Sequence, residues 1–181
     1  FHGIAHRLLR QHWQEAGLPR AFQILDSDDQ NRLLKRVLRG LNLDEKKWPP
    51  AQCAGFINRC KDDIQRPADL ADDGSPVQRQ YQRIYAIYQQ ECERGGLVDF
   101  GELLLRAYEL WRDDPDLLAH YRERFEHVLV DEFQDTNTIQ YQWVRLLGDG
   151  RGDVFIVGDD DQCLVAGTLI TMADGSSKPI E

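Results

Sequence analysis

Two short apolar runs near the end of the chain each lead into a group of acidic residues. Residues 128–130 are followed directly by Asp131 and Glu132, and residues 154–157 lead through Gly158 into Asp-Asp-Asp-Gln. Between the runs, Thr136 is a candidate helix cap, and apolar side chains recur at helical spacing, namely Ile139, Trp143, Val144, Leu146 and Leu147. Continuous apolar strands joined by a helix are typical of a buried parallel sheet, so the pattern predicts strand, helix, strand.

The preceding region, residues 1–124, has the apolar periodicity of helices. A capping-box pattern at residues 27–30 predicts the start of a helix that Gly40 ends. Pro76 predicts the start of another helix, which the glycines at 95–96 close. Further helices are predicted to begin near Trp48, at the cap formed by Asp99 and Glu102, and at Pro115. The expected fold class is therefore α/β, a parallel sheet preceded by a large, mainly helical region.

Aromatic and basic side chains in the helical region allow two interpretations each. Nucleic-acid bases can stack on Tyr81, Tyr85 and Tyr88, but tyrosines at this helical spacing are more often part of a core. The basic residues of the first long helix can contact phosphates, although a solvated helix face is the favoured interpretation, and they are Arg32, Lys35, Arg36 and Arg39.

Charge changes this picture only slightly. The formal net charge of −9 does not by itself indicate a nucleic-acid binder. Its distribution is uneven, because residues 1–66 carry 12 Lys or Arg against 8 Asp or Glu, whereas residues 67–181 carry 10 against 23. The mildly basic first part is the part in which phosphate contacts are expected.

The cysteines predict packing rather than a metal centre. None of the four forms a C-x-x-C pair, and Cys53 and Cys60 are spaced to share one helix face. No apolar run approaches the roughly eighteen residues that a membrane span needs. We therefore expect a cytoplasmic protein with reduced thiols and no membrane partner.

The acidic groups carry the candidate chemistry, because ligands of parallel sheets bind at the carboxyl ends of the strands. Asp131 at such an end can hold Mg²⁺, which prefers one or two carboxylates together with phosphate oxygens. Glu132 can orient or deprotonate a water molecule, and Gln162 on the neighbouring strand end can contact a terminal phosphate. Solvated loop acids are the alternative, but two such groups at neighbouring strand ends favour a nucleoside triphosphatase site.

The same residues carry a family resemblance. DEFQDTN at 131–137 and VGDDDQ at 157–162 resemble motif II (Walker B) and the start of motif III of the UvrD/PcrA/Rep group of superfamily 1 DNA helicases, closest to the UvrD branch. Other segments are similar to that group in the same order, namely FHGIAHRLLR, QILDSDDQNRLLKR, LNLDEKKWPP, GLVDFGELLLRA and HYRERFEHVLVDEFQDTN.

This resemblance implies an ATP-dependent DNA helicase that translocates 3′ to 5′ on single strands and unwinds duplex in DNA repair. It implies ATP and Mg²⁺ as cofactors, with Mg²⁺ on Asp131 and with Glu132 and Gln162 around the nucleotide. It also implies that Phe1 and His2 contact single-stranded DNA. Single-stranded DNA and duplex junctions are the expected partners, with repair proteins as further candidates.

The resemblance further implies a division of the chain. Residues 1–124 would be the helical 1B-like insertion with a DNA-contacting start, and residues 125–162 would be part of the RecA-like ATPase domain 1A. The family's phosphate-binding loop, G-x-x-x-x-G-K-[ST], does not occur in the chain. We therefore expect an internal fragment that does not hydrolyse ATP alone.

The similarity breaks after Gln162, where CLVAGTLITMADGSSKPIE resembles the N-terminal block of an intein, a HINT-like β domain. Residues 163–181 would be that segment, and Cys163 would be the splicing nucleophile that attacks the carbonyl of Gln162. Residues 169–171 are predicted to form a strand and residues 173–176 a hairpin turn. A divergent tail with a spectator cysteine is the alternative.

Two other functions remain open for the chain as a whole. One is a non-catalytic helical binding module with a degenerate nucleotide site, which the intact acidic groups argue against. The other is a nuclease-coupled relative of the same helicase family, which a nuclease motif elsewhere in the protein would reveal.

Overall fold

The computed structural model describes residues 1–71, 74–149 and 154–158, together with the backbone of residues 169–171 and 177–179. Within these ranges the α-helices are α1 (His2–Gln11), α2 (Ser27–Gly40), α3 (Pro50–Asp62), α4 (Pro76–Gly95), α5 (Phe100–Asp113), α6 (Pro115–Arg124) and α7 (Thr138–Gly148). The strands in the same ranges are β1 (Gln23–Leu25), β2 (Leu97–Asp99), β3 (Val128–Val130), β4 (Val154–Ile156), β5 (Leu169–Thr171) and β6 (Ser177–Pro179).

The strands form three pairs. β1 and β2 pair in parallel, as do β3 and β4, whereas β5 and β6 are antiparallel. The β3–α7–β4 unit confirms the predicted strand, helix, strand order and its parallel pairing. β5 confirms the strand predicted at 169–171, while the predicted turn at 173–176 lies outside the described residues.

Burial of the β3–β4 pair differs from the prediction. Leu129 and Phe155 are register partners, and their side chains are 71% and 58% exposed. Val130, on the other face, is buried, and α7 packs against β3. α7 thus covers one face of β3, whereas the Leu129 face is open and Ile156, the register partner of Val130, is 53% exposed. The expectation of a buried sheet is therefore wrong for the described residues.

Two helix starts lie at residues other than those predicted. Asp26, not Ser27, caps α2, because the Asp26 carboxylate accepts a hydrogen bond from the Asp29 N–H at 2.7 Å. Asn137, not Thr136, caps α7 through a capping box with Gln140. The Thr136 hydroxyl instead donates to the carbonyl of Phe133 at 2.7 Å, which closes the turn before the helix.

The other predicted helix limits are confirmed. The Asp99 carboxylate accepts from the Glu102 N–H at 2.7 Å and caps α5. α4 begins at Pro76 and is capped at its carboxyl end by Gly96, whose φ of 62° is the left-handed conformation that glycine favours at a helix end. α6 begins at Pro115 and α2 ends at Gly40, as predicted.

The helices enclose two hydrophobic clusters. The first joins α1, α5, α6 and α7 around Trp111 and Trp143, and the second joins α2, α3 and α4 around Tyr85 and Tyr88. Both tyrosines are fully buried, which confirms the core interpretation for them. Since α5, α6 and α7 share the first cluster, the boundary predicted at residues 124 and 125 lies within that cluster.

The predicted packing of two cysteines is confirmed, because Cys53 and Cys60 are buried in the second cluster. The basic side chains of α2, predicted to be a solvated face, are exposed. No helix within the described ranges is long and apolar enough to cross a lipid bilayer.

Candidate functional site

The chain turns sharply at the carboxyl end of β3, where both predicted acidic residues lie. The Asp131 Oδ1 atom accepts a hydrogen bond from the Glu132 N–H at 3.0 Å, and both side chains are exposed. Glu132 has φ 52° and ψ 46°, a left-handed conformation that non-glycine residues seldom adopt. A short 3-10 turn, Phe133–Asp135, follows and leads toward α7. Strained residues of this kind are concentrated at functional sites.

Backbone hydrogen bonds hold this turn against the end of β4. The Val157 N–H donates to the Val130 carbonyl at 2.8 Å, and the Phe133 N–H donates to the Val157 carbonyl at 3.1 Å. The pairing therefore continues past both strands, and the acidic turn lies beside the residues that follow β4.

Gln134 makes side-chain contacts on both sides of this turn. Its Nε2 donates to Glu132 Oε2. A Cβ atom built on Gly158 would lie 2.8 Å from Gln134 Oε1 and 3.6 Å from Phe133 Cβ, so the absence of a side chain at Gly158 makes room for the amide. Within this turn, the sequence analysis assigned roles only to Asp131 and Glu132 and did not identify Gln134. Its position two residues after the predicted base was the available signal.

The carboxylates at this turn fit a magnesium ion held mainly by its other ligands. In the part of the chain that the structure describes, no group of three or more His, Cys, Asp or Glu side chains could hold a metal. An exposed Asp131 at a strand end offers one carboxylate, which suits Mg²⁺ because this ion takes one or two carboxylates plus water and phosphate oxygens.

Two of the predicted site residues cannot be compared with the fold. Gln162 and Cys163 lie outside the described residues, as do the three aspartates at 159–161. Their roles stay predictions.

Phe1 and His2 begin α1 and contact two other helices. The Phe1 ring meets the Trp143 ring of α7 edge to face at 6.3 Å between centroids, and the His2 ring meets Phe100 in the same way at 5.9 Å. Burial lowers the pKa of His2 from its ordinary value. Phe100, 48% exposed at the first position of α5, was not singled out from the sequence.

A buried ionic cluster, which the sequence did not predict, lies where the two hydrophobic clusters meet. Lys61 of α3 contacts Asp99 at 2.8 Å and Glu102 at 3.1 Å. Glu102 also pairs with Arg66 and with Arg106, each at 2.8 Å. The side chains of the lysine and both acids are at most 3% exposed. We refer to these five residues as the ionic cluster.

Mutual pairing keeps the ionic cluster charged. Burial disfavours the charged form of Lys61, but the carboxylates of Asp99 and Glu102 outweigh that effect and raise its pKa. Burial likewise disfavours the Glu102 carboxylate, but Lys61, Arg66 and Arg106 hold the pKa of Glu102 well below its ordinary value. Tyr88 of α4 donates to Asp99 at 2.7 Å, so the cluster joins three helices.

Acidic residues at the carboxyl end of a parallel strand pair, with a helix between the strands, lie where α/β domains of this class bind their ligands. The chain belongs to the family of UvrD/REP helicase N-terminal domains, whose model matches residues 1–165.

Individual relatives agree with this family. The chain is 60% identical over 164 residues to DNA helicase II of Salmonella typhimurium and 59% identical over 164 residues to DNA helicase II of Escherichia coli. It is 38% identical over 165 residues to the ATP-dependent DNA helicase PcrA of Leuconostoc citreum. Each match covers 91% of this chain but only 22–23% of the relative, so the chain spans less than a quarter of the length of these proteins.

Proposed function

We propose that the full-length protein is an ATP-dependent DNA helicase of the UvrD type, which translocates 3′ to 5′ on single-stranded DNA and unwinds duplex. The observation that carries the proposal is the position of Asp131 and Glu132, exposed at the carboxyl end of β3 and bonded through their turn to the end of β4. The relatives named DNA helicase II and PcrA support the same activity.

In this proposal the acidic turn positions water and metal around the terminal phosphate of ATP. Asp131 holds Mg²⁺, which when bound offsets negative charge on the phosphate oxygens. Glu132 accepts a proton from the attacking water, for which an exposed carboxylate within reach of solvent is suited. Gln162, which comes six positions after Ile156 in the sequence, is proposed to contact the γ-phosphate by hydrogen bonding.

Phe1 and His2 are proposed to contact single-stranded DNA. Both residues are exposed, and aromatic rings can stack on bases without regard to sequence. The Phe1 ring contacts Trp143 on α7, the helix that follows the acidic turn in the chain, so one helix links the proposed DNA contact with the proposed nucleotide site. Single strands and duplex junctions are the proposed DNA partners, and repair proteins are further candidates.

The domain division is also a proposal. Residues 1–124 supply a helical 1B-like insertion with the DNA-contacting start, and residues 125–162 belong to the RecA-like domain 1A. The hydrophobic cluster of α2, α3 and α4 supports a separate helical body. α1, α5 and α6 share the other cluster with α7, so these three helices of the proposed insertion pack against the proposed ATPase part.

Glu132→Gln in the full-length protein tests the ATPase assignment. The amide keeps the shape of the side chain but cannot accept the proton, so ATP turnover should be abolished while single-stranded DNA binding stays near wild type. Glu126→Gln, at an exposed position just before β3, is the matched control and should keep full activity. ATPase at the wild-type rate in Glu132→Gln would sink the assignment.

A second function, protein splicing, is proposed for the segment that starts at Cys163. The family match ends at residue 165, and the β5–β6 pair that follows agrees with the β start of an intein. The Cys163 sulfur attacks the carbonyl carbon of Gln162, the peptide C–N bond breaks, and the Cys163 nitrogen takes up the thiol proton as a thioester forms. Such an element interrupts the ATPase site until it is excised.

Cys163→Ala in the complete precursor tests the splicing proposal. The variant should accumulate unspliced precursor, which gel mobility and intact mass report, since alanine has no nucleophile. Ser27→Ala, at an exposed position far from Cys163 in the sequence, is the control and should leave splicing unchanged. Ligated product in the Cys163→Ala precursor would exclude this cysteine as the nucleophile.

Assays of ATP turnover and of nucleotide release from DNA, made on the full-length protein, distinguish the two other candidate functions. A non-catalytic module would bind DNA or proteins without any DNA-stimulated ATP turnover. A nuclease-coupled relative would release nucleotides from DNA in a reaction that persists in Glu132→Gln.

A further inference from the structure

The amide of Gln134 lies between Glu132 and the chain that follows β4. Its Nε2 donates to Glu132 Oε2, and its Oε1 occupies the space beside Gly158 where a Cβ atom would otherwise lie. Gln134 therefore lies between the proposed base on one side and Gly158, which follows β4, on the other.

The Glu132 carboxylate needs an external restraint. The side chain is exposed and has three rotatable bonds, so packing does not fix its rotamer. An exposed carboxylate without a partner samples several rotamers, and general-base catalysis requires the oxygen to lie within hydrogen-bond reach of the water. A donor that holds one oxygen leaves the other available for the proton.

The turn itself does not depend on this amide. The backbone bonds from Phe133 to Val157 and from Val157 to Val130 hold the turn against β4, and the Thr136 hydroxyl closes it on the Phe133 carbonyl. The hydrogen bond from Gln134 to Glu132 joins two side chains at the proposed reaction centre. Its expected effect is thus on the orientation of the base more than on folding.

We propose that Gln134 is a positioning residue for ATP hydrolysis, which holds Glu132 Oε2 so that Oε1 faces the attacking water, with Gly158 conserving the space that the amide needs. This inference rests on the proposed function of Glu132. A neutral amide is suited to the task because it donates a hydrogen bond to the carboxylate without adding a charge near the phosphates. Because the amide lies beside Gly158, a shift of the backbone at Gly158 would change the orientation of the base.

Three variants of the full-length, spliced protein test the proposal. Gln134→Ala should lower the kcat of DNA-stimulated ATP hydrolysis by about 10- to 100-fold, the usual scale for lost orientation of a catalytic ligand. The KM for ATP and the Kd for single-stranded DNA should change by less than about twofold, because the residue acts on the chemical step. Gln90→Ala, at an exposed position on α4, is the matched control.

Gln134→Glu tests the hydrogen-bond donor directly. The substitution keeps the length of the side chain but replaces the N–H donor with an acceptor, so it should lower kcat at least as much as Gln134→Ala while the KM for ATP stays within about twofold of wild type. Wild-type kcat in Gln134→Glu would contradict the proposal.

Gly158→Ala displaces the amide without changing either contacting residue. It should lower kcat as Gln134→Ala does, and it should add nothing further when both changes are combined, because both act through one hydrogen bond. Should Gln134→Ala fail to fold by its far-ultraviolet circular dichroism, the kcat values of Gly158→Ala and Gln134→Glu decide the question.

The failures of the two proposals are distinguishable. Wild-type kcat in Gln134→Ala, or losses that multiply in the double variant, would overturn the positioning role while Glu132→Gln remains inactive. Full activity in Glu132→Gln would remove the base itself, and the positioning role with it.

Discussion

The Lys61 ammonium lies 2.8 Å from the Asp99 carboxylate, although neither side chain is more than 3% exposed. The lysine belongs to α3 in one hydrophobic cluster, whereas Asp99 caps α5 in the other. A charge pair buried at such a junction tolerates little displacement, because separation of the partners leaves each charge without water or partner. The pair therefore fixes how the two groups of helices meet.

Replacement of Lys61 by an uncharged residue should destabilise the fold. Lys61→Met leaves Asp99 buried without its cation and is expected to lower the free energy of unfolding of this chain by about 3–5 kcal/mol. Lys35→Met, on the exposed face of α2, is the matched control and should change it by less than about 0.5 kcal/mol. Urea titration followed by circular dichroism measures both. If Lys61→Met and Lys35→Met had the same free energy of unfolding, the buried pair would contribute nothing to stability.

Acid should weaken the same ionic cluster. The folded-state pKa of Glu102 is lowered, so its contribution to stability is present above the ordinary glutamate pKa and is lost as pH falls toward the lowered value. The stability difference between wild type and Glu102→Gln should therefore be largest near pH 7 and should shrink steadily below about pH 4.5. Denaturant titrations at a series of pH values measure this difference.

Glu126→Gln is the matched control for that pH series, since the residue is exposed and belongs to no buried pair among the described contacts. Its stability should follow the wild-type curve at every pH. A Glu102→Gln difference that stays constant between pH 7 and pH 3 would show that the carboxylate charge is not what stabilises the fold.

Local signals made parts of this structure predictable. Val128–Val130 and the acids after it form one contiguous pattern, and the pairing of β3 with β4 follows from the helix between them. Asp99 was predictable as the cap of α5 because Glu102 follows it three residues later, which is also a local pattern. Its second role, as the partner of Lys61, was not, because 38 positions separate the two residues and a helical lysine gives no sign of burial.

Long-range pairing and neighbouring side chains explain the errors. β1 and β2 are three residues each and come from distant parts of the chain, so nothing local to either marks it as a strand. The exposure of Leu129 was not predicted, because a continuous apolar run shows which side chains a strand can bury and not whether another element covers them. The Gln134 contact depends on the left-handed turn at Glu132, which the residue types do not reveal.

Gly96 should be intolerant of a side chain. Its φ of 62° disfavours other residues, and a Cβ atom there would lie 2.7 Å from Pro19 Cγ. Gly96→Ala is therefore expected to lower the free energy of unfolding by more than about 1 kcal/mol. Gly40→Ala is the control, because nothing lies within 4 Å of its Cβ position, and it should be neutral or slightly stabilising. Thermal unfolding that ranks the two variants in the opposite order would contradict this.

The start of α2 gives a direct comparison between the predicted cap and the observed one. The Asp26 carboxylate accepts the Asp29 N–H, whereas Ser27 is already the first helical residue. Asp26→Ala should therefore cost about 1 kcal/mol of stability, through the loss of a partner for a terminal N–H and of a negative charge at the helix start. Ser27→Ala, the matched control at the next position, should change stability by less than about 0.5 kcal/mol. If urea titration showed the larger loss for Ser27→Ala, the helix would begin one residue later than the structure places it, and the predicted capping box would be restored.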